Sequence, residues 1–270
     1  MGERLEKIKT RAVTIIIGVP IILLIIHLDG LIFYFTIALL AILGSLELRH
    51  IFRNKDYHPS LFMGIGVTLF FLFIKTLSGS FFIDERLLFT VIILSLFMEQ
   101  FLVKRNNRYI IINISITLFI AIYIGHLLSF LIDIRGLSYG KIFLIFTLFS
   151  TWMSDTVAYI VGINFGKRHI FPNLSPNKTL EGSIGGILCG AIFGMAFYSL
   201  LPLSPLILFT LGLLAAICGQ TGDLFESIIK RNFDVKDSGK IIPGHGGILD
   251  CMDSILFSVP VLYFCLTYLI

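Results

Sequence analysis

Charge is what this chain has least of. Asp, Glu, Lys and Arg make up 14% of its 270 residues, against 56% hydrophobic residues and a mean hydropathy of +0.94. Soluble domains are about a quarter charged, so an ordinary water-soluble globule is excluded. Cysteine is sparse too: Cys189, Cys218, Cys251 and Cys265 lie in or beside apolar segments and form no CxxC pair. That argues against a disulfide framework or a thiolate zinc site. No long linker, low-complexity tract or repeat interrupts the chain. A P-loop is missing as well, because Gly162-x-x-x-Gly166-Lys167-Arg168 has the wrong spacing and lacks the Ser/Thr.

What is present is hydrocarbon in runs of about 17 to 25 residues, the length of a membrane-spanning helix. Spans are expected near 12–29, 31–48, 60–78, 86–103, 109–132, 142–163, 183–201, 204–228 and 252–270. Long Leu-, Ile- and Phe-rich runs without alternation favour helices over barrel strands, and a helix satisfies its own backbone in lipid. The expected fold is an all-α polytopic integral membrane protein of about nine transmembrane helices, in a single domain. Residues 1–140 read as helical spans with short loops, and 141–270 as helices joined by polar loops. The basic preface Arg4, Lys7, Lys9 and Arg11 has no small-residue cleavage site after it, so the first span is read as retained.

Basic residues set the orientation. Arg49, Arg53 and Lys55; Lys104, Arg105 and Arg108; Lys167, Arg168 and Lys178; and Lys230, Arg231, Lys236 and Lys240 fall in loops on the side of the N-terminus. The alternate loops carry only Arg86, Arg135 and Lys141. The N-terminus is therefore expected in the cytoplasm and the C-terminus outside. The formal net charge of +4 follows from this bias and needs no nucleic-acid partner.

Against that background one polar island stands out, Asp223 to Ser254. Asp223, Glu226, Ser227 and Lys230 recur at i, i+3, i+4 and i+7, one face of a helix continuing out of the eighth span. Asp250 and Asp253 share a face where the ninth span begins. If the intervening loop folds back, two acidic helix ends converge. Mg²⁺ is held by a few carboxylates, waters and substrate phosphates, and Lys230, Arg231, Lys236 and His245 would suit phosphate oxygens. The Pro243-Gly244-His245-Gly246-Gly247 turn can bring backbone N–H groups to an anion. Such a site at a membrane surface points to phosphoryl or nucleotidyl transfer on a lipid. Two clusters accompany it: Asp155 and Tyr159, four apart within the sixth span, and the following loop through Ser175, Lys178, Thr179 and Glu181. Gly182, Gly186, Gly190 and Gly194 form a stripe that reads as close helix packing.

These residues resemble the phosphatidate cytidylyltransferase (CDP-diacylglycerol synthase) family. The likeness rests on Ser227-x-Ile229-Lys230-Arg231, Lys236-Asp237-x-Gly239 and Ile242-Pro243-Gly244-His245-Gly246-Gly247-x-x-Asp250-x-x-Asp253. Phe165-Gly166-Lys167, Ser175-Pro176-x-Lys178-Thr179-x-Glu181-Gly182 and the Asp155–Tyr159 cluster match as well. Cys251 departs from the pattern, which carries arginine there. The resemblance implies a Mg²⁺-dependent transfer of CMP from CTP to phosphatidate, in a bacterial inner membrane, with the site facing the cytoplasm. Asp223, Asp250 and Asp253 would take the metal, with room for a second cation. Lys178, Lys230, Arg231 and Lys236 would hold phosphates. His245, Gly244, Gly246 and Gly247 would line the triphosphate. Asp237 and Glu181 would orient the bases, Ser175 and Thr179 would adjoin substrate, and Asp155 would complete the cavity. A homodimer is compatible with this reading.

Two other classes compete. A CTP-dependent lipid kinase of the polyprenol or phytol type would release CDP rather than pyrophosphate. A secondary transporter should carry polar groups near the midplane in corresponding halves, and the first half offers none.

Overall fold

A computed structural model describes residues 2–28, 30–78, 85–102, 109–172 and 174–269. Along the chain run α1 (Gly2–His27), α2 (Leu31–Arg53), α3 (Phe62–Ser78), α4 (Glu85–Leu102) and α5 (Ile110–Ile120). A π-helical turn (Ala121–His126) leads into α6 (Leu127–Gly136). Then come α7 (Gly140–Phe165), a hairpin of β1 (His169–Phe171) and β2 (Ser175–Thr179), α8 (Leu180–Met195), α9 (Pro205–Asn232) and α10 (Leu249–Leu269). Each expected span overlaps one helical rod, the fifth being the continuous run Ile110–Gly136, while the helix of the seventh ends at Met195, short of residue 201. Among the described residues, five rods are long and apolar enough to cross a bilayer: Leu31–Arg53, Ile110–Gly136, Gly140–Phe165, Pro205–Asn232 and Leu249–Leu269. The other apolar stretches, Ala12–His27, Phe62–Ile74, Phe89–Glu99 and Leu180–Met195, are shorter. The basic loop with Lys104, Arg105 and Arg108 lies outside the described residues.

The chain forms two compact units, residues 35–129 and residues 1–34 with 130–270. The smaller unit adds polar contacts to the helical spans and short loops expected of the first half. Its loop after α2 is pinned through polar groups: the His58 N–H donates to Asn113 Oδ1 (2.8 Å) and the Ser60 N–H to Thr117 Oγ1 (3.0 Å). The Ser60 hydroxyl donates to Glu99 Oε1 at 2.5 Å. Its apolar centre holds Val67, Phe71 and Ala121.

The larger unit packs α7, α8, α9 and α10 together. Thr179 caps α8, its Oγ1 accepting the Gly182 N–H (3.2 Å). Ser204 caps α9, with Pro205 in the first turn. The glycine stripe sets the spacing. A Cβ on Gly186 would lie 2.5 Å from the Ser154 carbonyl oxygen, and one on Gly194 2.5 Å from that of Leu208. The α8 backbone therefore lies directly on α7 and α9, as the sequence predicts. Gln220 joins the three helices, donating to Ser154 Oγ (3.2 Å) and Ser183 O (3.1 Å). The Ser258 hydroxyl contacts Ala215 O (2.8 Å) and ties α10 to α9. Phe143, Phe146, Leu208 and Leu249 are fully buried in this unit. The hairpin between α7 and α8 is the main departure from expectation, since that segment reads as an irregular loop.

Candidate active site

The larger unit brings most of the predicted site residues to one end of α9 and α10. Helix α9 continues to Asn232, so Asp223, Glu226 and Lys230 share a face as expected. Lys230 is the centre of the charge arrangement. Its Nζ lies 2.6 Å from Asp250 Oδ1 and 3.1 Å from Glu226 Oε1. Glu226 is fully buried and Lys230 nearly so. A lysine at this depth needs charged partners to stay in place, and the two acids supply them. The expected convergence of two acidic helix ends is thus observed.

Asp250 organises the loop that folds back. Its Oδ2 accepts the Ser238 N–H (2.8 Å), the Ser238 hydroxyl (2.9 Å) and the Gly247 N–H (2.7 Å). With Lys230 on Oδ1, both oxygens are occupied by protein donors. Gly246 must be glycine here: its φ is +116°, and an added Cβ would lie 2.5 Å from Asp250 Oδ2. Gly244, at φ +81°, closes the same turn. The Ile242 N–H donates to Gly246 O (2.8 Å) and the Gly246 N–H to Ile242 O (3.0 Å). This compact turn carries His245, whose Nδ1 is buried without a hydrogen-bond partner. A buried polar atom of that kind is poised for a ligand or water.

A second group of carboxylates lies beside the first. Ser254 Oγ is 2.9 Å from Asp155 Oδ2 and 3.2 Å from Asp253 Oδ1, so one hydroxyl bridges acids from α7 and α10. Asp253 also accepts the Ser254 N–H (2.6 Å). It lies within electrostatic range of Asp155, Asp223 and Glu226. Asp223 Oδ2 pairs with Lys178 Nζ from β2 at 2.7 Å. Five carboxylates thus face two ammonium groups.

The chemistry of this donor set fits a hard cation, because its carboxylate oxygens outnumber the ammonium groups beside them and oxygen ligands are what such a cation takes. Among the described residues no three Asp, Glu, His or Cys side chains gather closely enough to cage an ion alone. Mg²⁺ does not require that, since it is usually held by one or two carboxylates with waters and substrate phosphates. Of the predicted ligands, Asp223 has Lys178 as its ion-pair partner and Asp253 is held by Ser254, whereas Asp250 is committed to Lys230, Ser238 and Gly247.

Several predicted residues stand elsewhere. Arg231 is engaged by backbone, its Nη1 donating to Val235 O (3.1 Å) and its Nε to Leu174 O (3.3 Å). It closes the end of α9 and tethers the hairpin. Glu181 Oε2 accepts the N–H groups of Lys167 (3.0 Å) and Arg168 (3.2 Å), fixing the turn before β1. Thr179 serves as the helix cap, Ser175 begins β2, and Lys236 and Asp237 are exposed on the loop. Tyr159 is exposed, although it lies one helical turn from Asp155. Two residues of the site carry little signal in the sequence. Ser238 gives two donors to Asp250 but lies in a loop with no motif value of its own. Ser254 marks only the end of the polar island, and its place next to Asp253 is the one usable signal.

Apolar helices of this length define an integral membrane protein, and this one carries an acidic, lysine-bridged cluster at the ends of α9 and α10. Comparison with known proteins makes the class specific. Residues 9–269 match the cytidylyltransferase family. A relative from Bacillus subtilis (strain 168), a phosphatidate cytidylyltransferase, is 39% identical over 240 residues, 86% of this chain and 88% of the relative. Phosphatidate cytidylyltransferases of Staphylococcus saprophyticus and Staphylococcus aureus (strain COL) are 33% and 34% identical, each over 94% of this chain and 97% of the relative. The chain belongs to the cytidylyltransferase family.

Proposed function

We infer that this chain transfers CMP from CTP to phosphatidate, giving CDP-diacylglycerol and pyrophosphate for phospholipid synthesis. An oxygen of the phosphatidate phosphate attacks the α-phosphorus of CTP, and the bond from that phosphorus to the bridging oxygen of the β-phosphate breaks. The nucleophile is already anionic, so no strong base is needed. The difficulty is bringing two polyanions together. Lys178 and Lys230, each ion-paired within the acidic cluster, would meet the phosphate oxygens. The Gly244–Gly247 turn offers backbone N–H groups, and His245 a further polar edge. Mg²⁺ would be held by Asp223 and Asp253, and when bound it would neutralise the triphosphate. A second cation would answer the same excess of acids. The distribution of Lys and Arg among the loops supports a site facing the cytoplasm, and the bacterial relatives support a bacterial cell membrane.

The observation that carries this reading is the convergence of Lys230, Asp250, Asp253 and Asp223 within a chain matched almost end to end by phosphatidate cytidylyltransferases. The test is purified protein in detergent with CTP, Mg²⁺ and phosphatidate, following both phosphate products. Pyrophosphate that requires phosphatidate supports the reading. CDP released with an alcohol acceptor would mean a lipid kinase instead, and neither product from folded protein would refute both.

A further inference from the structure

Beside the signature turn the larger unit has an apolar groove of about 550 Å³, lined by Thr10, Val13, Thr14, Ile17, Gly18 and Pro243. The five α1 residues recur at i, i+3, i+4, i+7 and i+8, one continuous stripe of a helix. The Thr14 hydroxyl donates to Pro243 O at 2.8 Å, so the groove is fixed to the turn that carries His245 two residues on. Thr10 to Gly18 covers about 12 Å of helix, most of the ~15 Å depth of one bilayer leaflet. At the far end the wall is open, and a Cβ built on Gly18 meets nothing within 4 Å.

We propose that this groove holds one acyl chain of the phosphatidate substrate while its phosphate enters the acidic site. The inference rests on the phosphatidate reading and adds to it a place for the tail. An amphiphile whose head is bound by charge needs an apolar path leading away from that charge. This groove starts at the turn bearing His245, follows α1, and is lined by aliphatic groups and threonines alone. Val13 and Ile17, more than half exposed, would be covered by the chain.

The experiment fills the groove and varies the tail. Gly18→Trp and Gly18→Leu are compared with wild type on phosphatidates bearing two six-carbon or two sixteen-carbon chains. The variants should raise KM for the long-chain substrate about tenfold, the effect of displacing about two buried methylenes, with little change in kcat. The short-chain KM should move far less. Ile16→Trp, exposed and outside the groove, should leave the ratio of the two unchanged. Equal effects on both substrates, or no effect on either, would overturn the proposal. A second arm needs no turnover: phosphatidate with a diazirine at mid-chain is photolysed with wild-type protein in phosphatidylcholine micelles. Labelling between Val13 and Gly18 that excess unlabelled phosphatidate suppresses supports the groove. Labelling elsewhere, or labelling that any phospholipid suppresses equally, refutes it. Wild type that makes no lipid-dependent pyrophosphate would count against the parent reading, and the labelling would still decide the groove.

Discussion

Removing the Lys230 charge should unfold the site before it tests any chemistry. Lys230→Met leaves Glu226, which is 0% exposed, without its ion-pair partner, and takes one of four donors from Asp250. Asp250 keeps both Ser238 donors and the Gly247 N–H, so the stranded charge is Glu226. Breaking one side of a buried ion pair costs about 3–5 kcal/mol. At ~2–4 °C per kcal/mol for a domain of this size, that is a fall of roughly 6–20 °C in melting temperature. The double variant Glu226→Gln/Lys230→Met has no stranded charge and should recover at least half of the loss. Thermal melting of the three proteins in one detergent measures this. A double variant as unstable as the single, or a single within about 2 °C of wild type, would refute the charge-compensation argument. Pyrophosphate release then separates the roles. A stable but inactive double variant places the Glu226–Lys230 pair in the chemistry, whereas wild-type turnover would confine it to structure.

Asp223→Asn should leave the protein folded, because Asp223 is partly exposed and has Lys178 as its partner. It should lower kcat by at least ~10²-fold, the scale of losing one electrostatic group in the transition state; substantial residual activity would remove Asp223 from the site. Ser238→Ala deletes one hydrogen bond to an ionised carboxylate, worth about 1.5 kcal/mol at the low end, so kcat/KM should fall roughly tenfold, and a change under twofold would show that the backbone donors suffice. Cys251→Arg restores the positive charge of the family pattern beside an acid-rich cluster. It should raise kcat/KM by up to about fivefold, the worth of one partly exposed ion pair, and a loss would show that the site is not short of cations. Chelation with EDTA should abolish pyrophosphate release and Mg²⁺ should restore it; full activity in excess chelator would exclude a required divalent ion.

The spans and the acidic helix faces are legible in the sequence for the same reason. A bilayer demands about 20 apolar residues per helix, and a charged side chain near its centre costs at least ~2.5–3.5 kcal/mol. Asp155, Asp223, Lys230, Asp250 and Asp253 therefore announce themselves, and their spacing at three, four and seven residues is enough to give the shared face. The glycine stripe is legible on steric grounds, since four glycines a turn apart can serve only a close approach.

What stays hidden is neutral or tertiary in origin. The β1–β2 hairpin has strands of three and five residues without alternation, one of them containing Pro176. Side chains of α9 anchor it, through Lys178–Asp223 and Arg231 on Leu174 O, and no local propensity encodes that. Arg231 misleads because its charge suggests phosphate, whereas backbone carbonyls claim it. Ser60, Asn113, Thr117, Ser238 and Ser254 are uncharged and form no spacing pattern of their own. A hydrogen bond between membrane helices averages only about 0.6 kcal/mol, so a lone hydroxyl or amide there compels no explanation until the fold supplies its partner. Ser238 makes the consequence plain. It costs the chain almost nothing as sequence, yet it gives the Asp250 carboxylate two of its four donors and so helps set where the signature loop stands.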